Sequence, residues 1–107
     1  MKIVSILKYD LDGNEVAIRY NANEVGDTSV GETYLEVTGL PEDAQIDAVG
    51  YMLQDSDGIP MKFADIAGLD TTENITKDGI YMIMSGALER LVISCSATCH
   101  LVIKQVA

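Results

Sequence analysis

The chain has 107 residues, a length that holds one domain with a single core and little surplus. Its apolar content of 48% excludes global disorder, and with five Tyr, one Phe and no Trp the core has to be built from Ile, Val, Leu and Met. The formal net charge of -10 opposes contact with phosphate backbones and anionic membrane surfaces, so neither nucleic acid nor membrane is an expected partner.

The charge is unevenly placed. Residues 1–60 carry twelve acids against Lys2, Lys8 and Arg19, whereas residues 61–107 carry five acids against four bases. One reading is that the carboxylates keep a β-protein soluble. The other is that the nearly neutral C-terminal half faces a partner while the acidic half faces solvent.

Apolar alternation at strand length begins with Lys2–Lys8, where Ile3 and Leu7 share one face and Val4 and Ile6 the other. Ser5 interrupts that run, which is shorter than a secretory core and leads to no small-residue cleavage site, so synthesis in a cytoplasm is expected. No run approaches the length needed to span a bilayer. Asp10-Leu11-Asp12-Gly13-Asn14 then turns the chain into Glu15–Tyr20, with Val16, Ile18 and Tyr20 on one face, which reads as a hairpin.

Asn21–Ser29 is polar and reads as a loop, followed by a strand over Thr33–Thr38 with Leu35 and Val37 facing inward. Pro41 and the acids after it suit at most one helical turn. Ile46–Leu53, with Val49, Gly50 and Tyr51, fits a strand. Asp55-Ser56-Asp57-Gly58 marks another hairpin turn into Ile59–Phe63, which Pro60 confines to an edge or an irregular strand. Ala64–Lys77 is mixed and polar, and a long loop is expected there.

The last third reads as three consecutive strands with no helix between them. They are Ile80–Met84, Leu91–Cys95 and Cys99–Val106, with a break at Ser85-Gly86-Ala87 and a connection at Ser96-Ala97-Thr98. Seven or eight short strands with regular turns give an all-β class, a single antiparallel β-sandwich over residues 1–107 of jelly-roll or Ig-like type. In the final pair Leu91, Ile93 and Cys95 share a face, as do Cys99, Leu101 and Ile103, which puts both cysteines on the core side beside the turn. They read as two buried thiols, with a cross-strand disulfide formed in an oxidising medium as the alternative.

Ile80–Met84 is apolar on both faces, Ile80, Met82 and Met84 on one and Tyr81 and Ile83 on the other. A sandwich strand normally keeps one face wet, so a loop or another subunit has to cover the second. Tyr81 and Ile83 are taken as that surplus face and, with His100 and Val102, as the candidate interface.

Catalytic and ligand constellations are not legible. Asp10-x-Asp12-Gly13 and Asp55-x-Asp57-Gly58 supply oxygen ligands beside a glycine, but neither follows the order of an EF-hand, and hairpin turns demand the same residues. His100 is the single histidine and points to the strand face opposite Cys99, which leaves it without a nucleophile. No glycine-rich phosphate loop occurs. The five tyrosines lie in five separate segments, which suits core and rim positions better than a sugar-binding platform. The expectation is a protein that is no enzyme and takes no cofactor or metal.

One stretch resembles a known group. Ile75-Thr76-x-x-Gly79-Ile80-Tyr81, Gly86-Ala87-Leu88-x-x-Leu91 and a hairpin ending in Leu101-Val102-Ile103 resemble the C-terminal β-sandwich segments of small tailed-phage virion proteins. These are capsid decoration or auxiliary proteins and head-fibre or tail-associated modules. Ser96-Ala97-Thr98-Cys99-His100 stands here where such proteins often place small residues and glycine. The resemblance implies a structural role in a virion after synthesis in the host cytoplasm, with a capsid or other virion protein as partner and no catalytic residues. A symmetric homo-oligomer docking on a repetitive shell is the leading expectation. A carbohydrate- or cell-surface-binding module that uses loops at one end of the sandwich is the alternative.

Overall fold

The alternating segments fold into two antiparallel sheets in a computed structural model that describes residues 3–19, 31–52, 57–68, 70–85 and 88–106. The strands are β1 (Ile3–Asp12), β2 (Glu15–Arg19), β3 (Glu32–Thr38), β4 (Ile46–Tyr51), β5 (Ile59–Pro60), β6 (Phe63–Asp65), β7 (Thr71–Thr72), β8 (Gly79–Met84), β9 (Arg90–Cys95) and β10 (Thr98–Val106). One sheet has the order β1-β10-β3-β8-β6-β7 and the other β2-β9-β4-β5. The all-β sandwich is as read from the alternation, with ten strands among the described residues instead of seven or eight. Setting aside the short β6–β7 pair, the remaining eight strands have the order of a jelly roll.

Two connections read as hairpins are corners between the sheets. The signal at Asp10–Asn14 does reverse the chain: Gly13 takes φ +69°, which suits a residue without Cβ, and Asp12 N–H donates to Asn14 Oδ1 at 2.7 Å. Yet β1 pairs with β10, from Ile3↔Val106 to Asp12↔Thr98, and β2 pairs with β9 in the opposite sheet. The connection at Ser96–Ala97 does the same, since β9 and β10 lie in different sheets. A tight turn reverses direction whether or not its strands share a ladder. Here Leu11 and Ile18, both buried, face the core from opposite sheets, so folding the chain over the core buries both.

The turn into Ile59 does make a hairpin, with Val49↔Pro60 and Gly50↔Ile59, and Pro60 sits on the edge strand of its sheet. Residues 41–45 form a single turn closed by Ala44 N–H to Pro41 O at 3.1 Å. The expected long loop after Ala64 instead contains β6 and β7, paired through Phe63↔Thr72 and Ala64↔Thr71. Asp65 Oδ1 makes this compact turn by accepting from Ala67 N–H at 2.9 Å and Gly68 N–H at 3.3 Å. The loop expected at Asn21–Ser29 lies outside the described residues.

Faces along β8 are the reverse of the expectation. Tyr81 and Ile83 are buried in the core of the lone chain, while Ile80 and Met84 are exposed. Register gives the reason. β3 turns Thr33, Leu35 and Val37 inward, and β8 pairs Ile83 with Thr33 and Tyr81 with Leu35, so those partners must share the inward face. Phe63 of β6 then meets Tyr81 edge-on at 6.4 Å between ring centroids. Between the sheets, Leu35, Ile46, Phe63, Ile75, Ile83, Leu91, Ile93 and Ile103 are all fully buried, and every one but Phe63 is aliphatic.

Candidate functional site

With Tyr81 and Ile83 committed to the core, the outer face of the six-stranded sheet carries the candidate surface. Opposite the buried set, β1 presents Ile6, Lys8 and Asp10, β10 presents His100, Val102 and Lys104, β3 presents Glu32, Tyr34 and Glu36, and β8 presents Ile80, Met82 and Met84. The register places Val102 opposite both Lys8 and Glu36, and Met82 between Tyr34 and Ala64. Of the expected interface residues, His100 and Val102 therefore lie on this face, and Tyr81 and Ile83 lie beneath it.

Two halves of the face differ in chemistry. On the β1–β10–β3 side the polar side chains pair with one another: His100 with Asp10, and Lys104 Nζ with Glu36 Oε1 at 2.7 Å. Tyr34 Oη donates to Glu32 Oε2 at 2.6 Å, and that bond to a carboxylate holds the phenol above its ordinary pKa. On the β8–β6 side the face is apolar. Ile80 is 46% exposed, Met84 64% and Ile66 40%, and Ile66 is fixed beside β8 by its N–H donating to Ile80 O at 3.1 Å. Methionines in such a position offer flexible, polarisable contact area.

Among the described residues His100 pairs with the Asp10 carboxylate and with no nucleophile. Its ring packs against the turn at Gly39, where φ is +71° and an added Cβ would stand 3.2 Å from His100 Cδ2. Asp10 and Asp12, read as one arm of a calcium loop, are engaged with His100 and with Thr98 Oγ1, the latter at 2.7 Å. No group of three or more His, Cys, Asp or Glu side chains converges among the described residues. Asp55 and Ser56 of the second acidic turn lie outside them.

The second feature is a groove of about 580 Å³ at one end of the sandwich, lined by Gly13, Asn14, Glu15, Asp43, Gln45, Asp47, Ser94, Cys95 and Ser96. It is assembled from both inter-sheet corners and the turn after β3. Gln45 ties these together: its N–H donates to Ser96 Oγ at 3.0 Å, and its Nε2 donates to Asp47 Oδ2 at 2.9 Å. Among the described residues no basic side chain lines the groove.

Both cysteines are free thiols at the floor of that end. Cys95 and Cys99 are buried, with their sulfurs 3.0 Å apart. Burial first, and then the neighbouring Cys95 sulfur, push the Cys99 thiol up to about 12. The sequence placed the two together correctly, although they meet across a corner between sheets and not across a ladder. What it missed is the groove, because its walls come from three separate segments and no local pattern marks them. Among the described residues the other tyrosines share no platform: Tyr9 packs on the core, Tyr51 stacks under the Arg90 guanidinium at 4.1 Å on the smaller sheet, and Tyr34 lies on the larger one, while Tyr20 lies outside the described residues.

No family model and no curated protein matches the chain. Solved structures do. The crystal structure of the SPBc2 prophage-derived protein YomS matches with a TM-score of 0.66 and 7% identity, covering 99% of each chain. That of the PBSX exported protein XepA matches with a TM-score of 0.71 and 11% identity, covering all of this chain and 40% of that one. At such identities the likeness is one of fold.

Proposed function

We propose that this chain is a phage-encoded, non-enzymatic structural protein that docks on another virion protein, as a capsid decoration or auxiliary module does. The observation that carries the reading is the outward apolar side of β8, where Ile80 and Met84 stand exposed on a strand flanked by β3 and β6. A non-edge strand of a sandwich ordinarily turns polar side chains to water, and an apolar strip framed by charged residues is the form a docking surface takes. The end-to-end likeness to a prophage-derived protein of equal extent supports the phage setting. The resemblance of Ile75–Lys104 to virion β-sandwich segments supports the structural role. The strongly acidic remainder supports a protein partner over nucleic acid or membrane.

Co-sedimentation with purified particles of the encoding phage tests this. Wild-type protein is expected to pellet with particles at a fixed ratio to the main shell protein, and the Ile80→Ser/Met84→Ser double variant to stay in the supernatant while remaining folded. Wild-type protein that ignores the particles overturns the reading.

A second reading rests on the groove, whose amides, hydroxyls and carboxylates from Asn14, Gln45, Ser94, Ser96 and Asp47 suit a hydroxyl-rich ligand such as a cell-surface carbohydrate. A glycan panel titrated by calorimetry tests it. Binding abolished by Gln45→Ala supports it, and no heat at millimolar glycan removes it.

A further inference from the structure

The corner between β9 and β10 holds two sulfurs that no activity described above uses. Cys95 ends β9 in the four-stranded sheet and Cys99 is the second residue of β10 in the six-stranded sheet, with Ser96, Ala97 and Thr98 between them. Each arm of the corner is held. Cys95 N–H donates to Asn14 O at 3.2 Å and Ser96 N–H to Gln45 O at 3.1 Å, Thr98 Oγ1 donates to Asp12 Oδ1 at 2.7 Å, and Cys99 pairs with Leu11 in the ladder. The backbone thus presents both side chains inward, and their sulfurs lie 3.0 Å apart. A disulfide needs a separation of about 2 Å, so roughly 1 Å of side-chain movement separates the thiol pair from a bond.

Access is limited and asymmetric. Cys95 borders the groove at the sandwich end, but its side chain turns to the core with Ile93 and is only 3% exposed, and Cys99 beside it is not exposed at all. Local opening of this corner brings a small disulfide to Cys95 first, and the mixed disulfide it forms lies within reach of Cys99.

We propose that Cys95 and Cys99 are an oxidation site, a dithiol in a reducing cytoplasm that becomes an intramolecular disulfide on exposure to a low-molecular-weight disulfide such as oxidised glutathione. In the first step Cys95, as thiolate, attacks one sulfur of oxidised glutathione. A Cys95–glutathione bond forms, the glutathione S–S bond breaks, and one glutathione thiolate leaves. In the second step Cys99, having lost its proton to solvent, attacks the Cys95 sulfur. The Cys95–Cys99 bond forms and a second glutathione thiolate leaves. The protein loses two protons and two electrons, and one oxidised glutathione becomes two reduced molecules. The product is a covalent staple between the two sheets at the wall of the groove. This inference is independent of what the outer sheet face binds.

The test uses the purified, reduced wild-type protein, incubated folded with oxidised glutathione at mildly alkaline pH. It is read by intact mass and by thiol titration in denaturant. The expected result is a mass lower by two hydrogens, a thiol count falling from two to zero, and full recovery of both thiols with dithiothreitol. Cys99→Ser is expected to stop at a stable glutathione adduct on Cys95, and Cys95→Ser to form no adduct while folded. Two titratable thiols after prolonged exposure, a persistent glutathione adduct on the wild-type chain, or disulfide-linked dimers as the main product would each overturn the proposal.

Discussion

The carboxylate of Asp78 holds the turn at Gly39, accepting hydrogen bonds from the backbone N–H groups of Gly39 at 3.1 Å and Leu40 at 2.9 Å. It ties the end of β3 to the start of β8, adjacent strands of one sheet that are far apart in the chain. Both bonds are charge-assisted but exposed, so Asp78→Ala should lower stability by about 1 kcal/mol, with Asp78→Asn costing less. A lower urea midpoint at unchanged slope is the expected outcome.

The reversed faces of β8 separate two substitutions that look alike in sequence. Ile83→Ala empties a fully buried position and should cost about 2–5 kcal/mol. Ile80→Ser changes an exposed one and should move stability by no more than about 0.5 kcal/mol. Denaturant titration of the two variants side by side checks the assignment, and equal losses would contradict it.

Gly39 has φ +71°, and its Cβ position lies 3.2 Å from His100 Cδ2. Gly39→Ala meets the left-handed backbone penalty and crowds the imidazole, for a cost of about 1–2 kcal/mol. Replacing His100 by Ala in the same chain should recover the crowding part alone. A double-mutant cycle read by thermal melting resolves the two contributions.

The Cys99 thiol titrates near 12 in the folded chain, above the ordinary 9.0. An acid whose pKa is raised by folding binds its proton more tightly in the native state, so its contribution is complete below about pH 9. That contribution is lost as the pH climbs toward 12, where the unfolded thiol is ionised and the folded one is not. Tyr81, raised by burial and by the charges of Asp65 and Asp78, acts in the same direction. Stability measured from pH 8 to 11 should fall more steeply for the wild type than for Cys99→Ala, whose alkaline slope retains only the tyrosine part.

Closing Cys95 to Cys99 joins a very short loop, so the entropic gain is bounded at about 2 kcal/mol. Oxidised protein should therefore melt several degrees above reduced protein, and scanning calorimetry with and without dithiothreitol measures the difference. Below the thiol pKa values, the rate of closure should rise about tenfold per pH unit, because thiolate is the attacking species.

Particular elements show how far the chain could be read without its fold. Thr33–Thr38 was legible because period-two alternation names the inward residues, and Leu35 and Val37 are buried as that period requires. Ile46–Leu53 was legible as a strand from its β-favouring residues, and β4 occupies Ile46–Tyr51 of it. Pro60 marked an edge because it cannot donate to a ladder. β8 was legible as a strand but not in its facing, since with apolar residues at every position the period carries no phase. The corners at Gly13–Asn14 and Ser96–Ala97 were legible as reversals only. The groove was not legible at all, being lined by residues from Gly13 through Ser96 that meet only once the sheets are stacked.

What the amino-acid order determined by itself is the class: two-residue alternation between short turns makes strands, and greasy inner faces oblige those strands to stack. What only the tertiary structure decided is partnership. Which strand lies beside which follows from burying Leu11, Ile18, Tyr81 and Ile83 at once, and that choice leaves Ile80 and Met84 facing outward. The physical reason is range: alternation is set by neighbouring residues, whereas pairing and register are settled by apolar area removed from water over the whole sandwich.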